Sequence, residues 1–159
     1  MKKFSLVVVF LLAGCTTFIS DVSVLKQGII EYQGTHSIND EHVAGYTIST
    51  ESYEFVQETD IIPAVKGIAF ALEYTTSFRE GEEVMLREIV EYPVSGLTNP
   101  VTGKTSYSSY LEHKTFGSDS NMMFYQLSED WEVVEGKWLF KVEANGREIF
   151  NRTFYIKKI

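Results

Sequence analysis

Two histidines and two acids lie close together between positions 36 and 42, where their side chains could bind a metal ion. His36, Asp40, Glu41 and His42 carry imidazole nitrogens and carboxylate oxygens, which are suitable donors for zinc. Their spacing does not match the helical HExxH pattern, which directs two histidines at one ion. We therefore interpret the stretch as a solvated polar loop, and we predict no metal site and no other cofactor.

The remaining acids and serines do not select a catalytic residue. Residues 80–83 and 129–132 are acidic clusters, but each offers too few oxygens for calcium. Residues 98–105 include Gly103 and Lys104, but Thr98 stands where a phosphate-binding loop requires glycine. The chain has no Gly-x-Ser-x-Gly sequence, and its 22 acids are equal candidates for glycosidic chemistry. A hydrolase with an unrecognised site is thus the weakest of three functional readings.

Cys15 is the single cysteine, so neither an internal disulfide nor a cysteine-based metal site can form. The sequence Leu12-Ala13-Gly14-Cys15 resembles a bacterial lipobox. That resemblance implies that the cysteine sulfur receives a diacylglyceryl group and that the chain is cleaved before Cys15. Several acyl chains would then hold the protein stably in a lipid bilayer.

The segment before Cys15 has the form of a signal peptide. Lys2 and Lys3 precede an apolar run over residues 6–13, which is too short to span a bilayer as a helix. We predict a signal peptide at residues 1–14, a lipidated cysteine and tether at 15–25, and one domain at 26–159. Thr16 after the cysteine resembles an outer-membrane sorting signal, so we expect the protein to face the periplasm from the outer membrane.

The charge balance restricts the partners. The whole chain carries a net charge of −8, and removal of residues 1–14 takes away Lys2 and Lys3 but no acid, which leaves −10. Such a surface repels phosphates, and no basic stripe offsets it, so we predict no nucleic-acid binding. The expected partners are the bilayer, reached through acylated Cys15, and another envelope protein.

Short apolar alternations separated by turn residues predict an all-β fold. In residues 68–74, Ile68, Phe70, Leu72 and Tyr74 share one face at period two, and no long window shows helical periodicity. Further strands are predicted at 28–32, 53–56, 84–90, 107–116, 122–127, 138–142 and 149–156. The polar stretches 33–50 and 93–104 are interpreted as loops. Seven to eight short strands favour an antiparallel, immunoglobulin-like β-sandwich.

Two blocks of sequence resemble a bacterial envelope family described only as a domain of unknown function. The residues that carry the resemblance are Trp131-Glu132, Gly136-Lys137-Trp138-Leu139-Phe140, Asn145-Gly146, Phe154-Tyr155-Ile156, Thr59-Asp60-Ile61-Ile62-Pro63-Ala64 and Gly67-Ile68-Ala69-Phe70. The family pattern has Pro-Gly where this chain has Glu135-Gly136. The resemblance implies an immunoglobulin-like β-sandwich in secreted or lipidated proteins, and it supplies no catalytic residues.

These observations favour a non-catalytic protein-interaction module tethered in the envelope. The alternative is a module that binds carbohydrate or a cell-wall polymer through exposed aromatic side chains, for which Tyr107, Tyr110 and Trp131 are the candidates. An exposed apolar patch or an open edge strand would favour the first reading. An aromatic row on one sheet face would favour the second, and a concave pocket with paired acids would favour a hydrolase.

Overall fold

The computed structural model describes residues 19–39 and 42–159. The predicted signal peptide and the lipobox residues Leu12, Ala13, Gly14 and Cys15 lie outside the described residues. No helix in the described part of the chain is long and apolar enough to cross a membrane.

Strands dominate the described residues, which confirms the predicted all-β fold. The strands are β1 (Ile19–Ile38), β2 (Tyr46–Glu58), β3 (Ile61–Pro63), β4 (Ala69–Phe78), β5 (Glu83–Glu91), β6 (Leu97–Thr98), β7 (Thr105–Ser106), β8 (Ser108–Phe116), β9 (Ser118–Gln126), β10 (Gly136–Ala144) and β11 (Arg147–Lys157). Eight of them have nine residues or more, in agreement with the predicted number. A 3₁₀ turn at Asp130–Glu132 joins β9 to β10.

Two sheets pack face to face. One has the strand order β2-β1-β4-β9, and the other has the order β3-β11-β10-β5-β8. All neighbours within them are antiparallel except β3, which runs parallel to β11. Strands β2, β9, β3 and β8 are therefore edge strands. The edge strands β8 and β9 belong to different sheets, and the turn at Gly117 that joins them carries the chain from one sheet to the other.

Phe70 of β4 is the centre of the core between the sheets. Its ring centroid lies 5.1 Å from that of Phe154, 5.3 Å from Phe140 and 5.9 Å from Trp138. All four side chains are fully buried. The alternation that predicted an inward face for β4 and for β10 is therefore confirmed. Because these aromatic side chains come from both sheets, they join the two halves of the sandwich.

The hairpin between β10 and β11 confirms the Asn145-Gly146 prediction. Both residues have positive φ, 48° at Asn145 and 77° at Gly146, as a type I′ turn requires. Asn145 also accepts a hydrogen bond at Oδ1 from the backbone N–H of Met85. The turn thus sets the register of the hairpin and holds its end against β5.

One sequence prediction is wrong in this structure. Residues 33–50 were expected to form a loop, but they belong to β1, a short turn and β2. Residues 16–25 were expected to form a tether or a poorly ordered lead-in strand, and their described part is a strand that pairs with β4 from Ile19 opposite Phe78 onward. The loop predicted at 93–104 is confirmed in the main, with the two residues of β6 inside it.

The outer part of the β1–β2 hairpin extends past the sheet, and we call residues 31–38 and 46–54 the β-arm. Pairing of β1 with β4 ends at Ile30 opposite Ala69, whereas pairing with β2 continues to Ile38 opposite Tyr46. The β-arm bends toward β9, where Tyr32 Oη donates a 2.7 Å hydrogen bond to Gln126 Oε1. At its tip Val43 is buried in the core, and its carbonyl oxygen accepts a 3.0 Å hydrogen bond from Asn99 Nδ2.

Replacing Phe70 with alanine tests the role of the aromatic core. We expect Phe70→Ala to lower the free energy of unfolding by about 3–5 kcal/mol, because it leaves a cavity between the sheets. Urea denaturation followed by tryptophan fluorescence measures this loss. Phe116→Ala is the control. Because Phe116 is 60% exposed, this substitution should lower the free energy of unfolding far less. Equal losses in the two variants would contradict the assignment of the core.

Candidate functional site

A crevice of about 500 Å³ lies on the side of the sandwich where β8 and β9 diverge. One wall consists of β5 and β8, the opposite wall is β9, and residues 46–50 of the β-arm close the mouth. The lining residues are Val90, Leu111, Met122, Met123, Phe124, Tyr125, Tyr110, Tyr46, Ile48, Thr47, Ser49, Thr50, His42, Ala44, Ser109, Gln126, Ser128, Glu88 and Glu132. This volume lies within the range of ligand-binding cavities.

Glu88 lies on the inward face of β5, and only 7% of the residue is exposed. Tyr74 Oη of β4 donates a 2.6 Å hydrogen bond to its Oε1 atom. Burial raises the pKa of the Glu88 carboxyl, and the Tyr74 hydrogen bond and nearby His113 counteract part of that rise. Glu88 takes part in no salt bridge among the described residues. The crevice therefore contains an acid that has no cationic partner there.

Glu132 is the second buried acid of the crevice, and its role is structural. Tyr125 Oη donates a 2.7 Å hydrogen bond to Glu132 Oε1, and the backbone N–H of Glu129 donates a 2.8 Å bond to Oε2. The second bond completes a capping box on the 3₁₀ turn. Burial raises the pKa of the Glu132 carboxyl, opposed by these hydrogen bonds. Both oxygens of Glu132 are thus engaged within the protein.

Unpaired strand edges surround the crevice. Strand β8 pairs with β5 on one side, β9 pairs with β4, and β2 pairs with β1, and each is the last strand of its sheet. No ladder joins these three strands to one another within the described residues. Thr50 Oγ1, at the mouth, is buried and has no hydrogen-bond partner in the same part of the chain. Backbone and side-chain groups that could bind a ligand therefore border the cavity.

The predicted ligand-binding aromatic residues do not meet on one face. Tyr110 is a lining residue of the crevice, and its ring lies under the Arg87 guanidinium, whose Cζ is 3.9 Å from the ring centroid. Tyr107 is 63% exposed beside Gly96, outside the crevice. Trp131 is half-buried and packs against the main core. The structure therefore places one of these three residues in the candidate site.

The histidines of the predicted polar stretch are separated by the bend of the β-arm. His36 stacks on Tyr46, with ring centroids 4.8 Å apart, whereas His42 lines the crevice. Burial lowers the pKa of His42, and the positive charge of Lys104 lowers it further. Asp40 and Glu41 lie outside the described residues. Among the residues that the structure describes, no three His, Cys, Asp or Glu side chains converge on a metal-binding position.

Glu88 was not among the site residues predicted from the sequence, although its position in the apolar alternation of β5 marks it as unusual. Val84, Leu86, Glu88 and Val90 alternate along β5, so the acid occupies a position whose neighbours on that face are apolar and buried. An acid at a core position of a strand is rarely buried without a specific partner. Glu132 had no comparable signal, because the 3₁₀ turn that buries it follows no regular apolar alternation.

The burial of Glu88 predicts a measurable pH dependence of stability. Between the unfolded-state pKa, about 4.3, and the raised folded-state pKa, the folded protein keeps a proton that the unfolded chain has lost. Stability therefore falls as pH rises through this window, by at most about 1.4 kcal/mol per pH unit. In Glu88→Gln this contribution disappears, while Tyr74 can still donate to the side-chain oxygen. Chemical denaturation at a series of pH values measures the slope.

The matched control is Glu80→Gln, because Glu80 is exposed at the turn between β4 and β5. It should leave the pH dependence unchanged. Tyr74 of β4 and His113 of β8 face Glu88, so the same measurement is made on His113→Asn. An identical slope in wild type and Glu88→Gln would contradict the burial of a protonated acid.

Comparisons with known proteins agree with this architecture. Residues 20–156 match the model of a family described as a domain of unknown function, DUF3859. An immunoglobulin-like protein from Pseudomonas aeruginosa is similar in structure, with a TM-score of 0.56 and 22% sequence identity over 87% of this chain and 98% of that chain. This likeness confirms the immunoglobulin-like fold.

A Pseudomonas fluorescens alkylpurine DNA glycosylase, AlkC, bound to DNA with an abasic site analog, matches more weakly. Its TM-score is 0.46 at 12% identity, over 62% of this chain and 28% of that chain, and it carries no argument here. No curated protein matches the chain.

Proposed function

Because this chain belongs to the DUF3859 family of domains of unknown function, its role must be argued from its own geometry, and we propose a non-catalytic protein-interaction module. The module binds an extended segment of a partner protein in the crevice between β8 and β9. The observation that carries this proposal is the presence of three edge strands, β2, β8 and β9, around one cavity.

An extended segment fits such a site for a physical reason. A strand added beside β8 or β9 would satisfy the unpaired N–H and C=O groups of that edge, as in other complexes formed by β-strand addition. The side chains of Val90, Leu111 and Met123 provide apolar contacts for alternate residues of the segment. Hydrogen bonds from the edge would supply affinity, and the crevice would supply specificity.

The two buried acids do not favour a hydrolase. Glycoside hydrolysis requires two carboxyl groups that are free to transfer protons or attack the substrate. Glu132 is held at both oxygens, by Tyr125 and by the backbone of Glu129. Glu88 alone remains accessible from the cavity. A single acid in an apolar crevice fits the binding of a ligand better than cleavage.

The proposed setting is the bacterial envelope, with the domain anchored through lipid on Cys15. The support is the sequence Leu12-Ala13-Gly14-Cys15 after a short apolar run. The first described strand begins at Ile19, so three residues separate Cys15 from the folded domain. An anchor this close would hold the domain beside the bilayer surface, where an outer-membrane or periplasmic partner could reach it.

Cross-linking from the crevice tests the interaction. A photo-reactive amino acid at Leu111, which is 58% exposed at the crevice, should yield one dominant protein adduct in intact cells. The control position is Val94, which is 98% exposed and lies outside the crevice. Hydrogen exchange on the isolated complex should show slower exchange of the β8 or β9 amides. Equal adducts at both positions, or no adduct at Leu111, would contradict the proposal.

Substitution of the lipobox cysteine tests the anchor. We expect Cys15→Ser to abolish metabolic labelling with a radiolabelled fatty acid and to move the protein from the membrane to the soluble fraction, because serine cannot accept the thioether-linked lipid. Ser5→Ala is a matched control in the same segment. A variant that is still processed and membrane-bound would exclude lipidation as the anchor.

A second candidate function is supported by the outer face of the β2-β1-β4-β9 sheet. Tyr32, Phe55, Met122 and Phe124 pack there over the buried residues Ile30, Ala69 and Ala71, and Tyr53 is 39% exposed beside Phe55. Aromatic rings on one sheet face can stack on sugar rings. This surface suits a carbohydrate or a cell-wall polymer, with Tyr53 and Phe55 in place of the predicted Tyr107, Tyr110 and Trp131.

Binding of soluble peptidoglycan fragments distinguishes the two candidates. If the aromatic face binds sugar, Tyr53→Ala should reduce binding by up to about tenfold, in line with the loss of one stacking contact. Leu111→Ala should leave sugar binding unchanged. Calorimetric titration measures both constants. Sugar binding that is lost in Leu111→Ala and kept in Tyr53→Ala would place the carbohydrate in the crevice instead.

A further inference from the structure

We infer that the segment bound in the crevice is cationic: an extended peptide with a lysine or arginine whose charged group binds Glu88. This inference rests on the proposed function and identifies the chemistry of the partner. It follows from three features of the described residues, namely the charge of the β-arm, the free acid in the crevice and the shape of the apolar wall.

The β-arm carries negative charge only, and Lys26, which precedes it, has its Nζ atom 5.8 Å from the Phe55 ring centroid. From Gln27 to Val65 the sequence has seven acids and neither lysine nor arginine. Glu31 lies directly opposite Glu54 in the β1–β2 register, an arrangement that like charges disfavour. A cationic ligand beside the β-arm would relieve this repulsion, whereas an acidic ligand would add to it.

The interior of the crevice continues this charge pattern. Within the described part of the chain, the Glu88 carboxyl accepts one side-chain hydrogen bond, from Tyr74 to its Oε1 atom. Its Oε2 atom is therefore available to a ligand. Lys66 forms a salt bridge with Glu129 at 3.1 Å and Arg87 forms one with Glu112 at 3.4 Å, while the charge of Lys104 acts on His42. Glu88 is therefore the buried carboxyl of the crevice that a ligand cation could bind, since Glu132 is engaged at both oxygens.

The walls of the crevice suit the long stem of a basic side chain. Val90, Leu111 and Met123 are apolar lining residues of the crevice, and Leu111 pairs directly with Glu88 in the β5–β8 register. Lysine and arginine bury their methylene groups along apolar surfaces while the charged end binds a polar group. A ligand lysine would thus place its stem against these residues and its ammonium group at Glu88. The adjacent backbone of the ligand would remain extended beside the strand edge.

Matched synthetic peptides test this inference. The probes are nine-residue peptides of alternating valine and threonine with lysine, norleucine or glutamate at the central position. We expect the lysine peptide to bind the wild-type protein about tenfold more tightly than the norleucine peptide, the effect of one charge-assisted hydrogen bond. The glutamate peptide should bind most weakly. Calorimetric titration gives the three dissociation constants.

Substitution of Glu88 identifies the residue responsible. Glu88→Gln should bind the lysine and norleucine peptides equally, while Glu112→Gln on the outer face of β8 should keep the tenfold preference. The circular dichroism spectrum and melting temperature show whether Glu88→Gln is folded. A preference for lysine that survives in a folded Glu88→Gln variant would overturn the assignment of Glu88.

A measurement on the unmodified protein provides an independent check. The preference for lysine over norleucine should increase with pH as the Glu88 carboxyl ionises. His42, His113, Tyr74 and Glu132 are the other titratable groups that surround this part of the crevice. Comparison with His113→Asn and His42→Asn separates their contributions. A preference that does not change with pH in any of these proteins would contradict an ionised Glu88 as the receptor.

The outcomes separate the inference from the proposed function. Equal binding of lysine and norleucine peptides would overturn the cationic partner but leave strand binding supported. Adducts at Leu111 in cells, without binding of any of the three peptides, would likewise overturn the cationic partner and leave the protein-interaction function supported. Loss of both the adducts and the peptide binding would overturn the proposed function as well. Tight competition by free cadaverine would indicate a small amine as the occupant and contradict a peptide strand.

Discussion

The mismatch in length between β1 and β4 is the constraint on which the rest of the architecture depends. β4 begins at Ala69, opposite Ile30, and β1 continues for eight more residues with β2 as its neighbour. A two-stranded ribbon in water has little stability of its own. The β-arm therefore bends onto the sandwich, where Tyr32 binds Gln126 and Val43 enters the core. This bend brings residues 46–50 to the crevice, next to the unpaired edges of β8 and β9.

The crevice combines features that usually destabilise a folded protein or promote its aggregation. A carboxyl group without a cation is buried at Glu88, and three strand edges face a cavity. The hydroxyl groups of Tyr74 and Tyr125 offset part of the cost of burying Glu88 and Glu132. The aromatic core around Phe70 holds the two sheets together, and Tyr125 connects it to the crevice, since its ring centroid lies 5.0 Å from that of Trp138. The fold can thus tolerate an open site with a buried acid, because this aromatic packing stabilises the sheets beside it.

Prediction from sequence succeeded where one face of a strand is buried. In β4 the large side chains of Phe70 and Leu72 alternate with alanines, and in β10 Trp138 alternates with less buried neighbours. The period-two pattern was sufficient to identify both strands. It failed for the β-arm, because Gly34, Ser37 and Ser49 leave no continuous apolar face in a ribbon that is largely exposed. The same absence of pattern made residues 33–50 resemble a loop. Pairing with the partner strand, not local preference, makes this segment extended.

The sequence by itself determined the all-β class, the hairpin at Asn145-Gly146 and the strongly acidic character of the chain. Each follows from local patterns or from composition, which do not depend on contacts between distant residues. Only the tertiary structure decided that Glu88 and Glu132, two of 22 acids, share one crevice and that Tyr107 and Trp131 lie outside it. The reason is physical: burial, strand edges and the bend of the β-arm arise from pairing between segments far apart in the chain, and no local pattern encodes them.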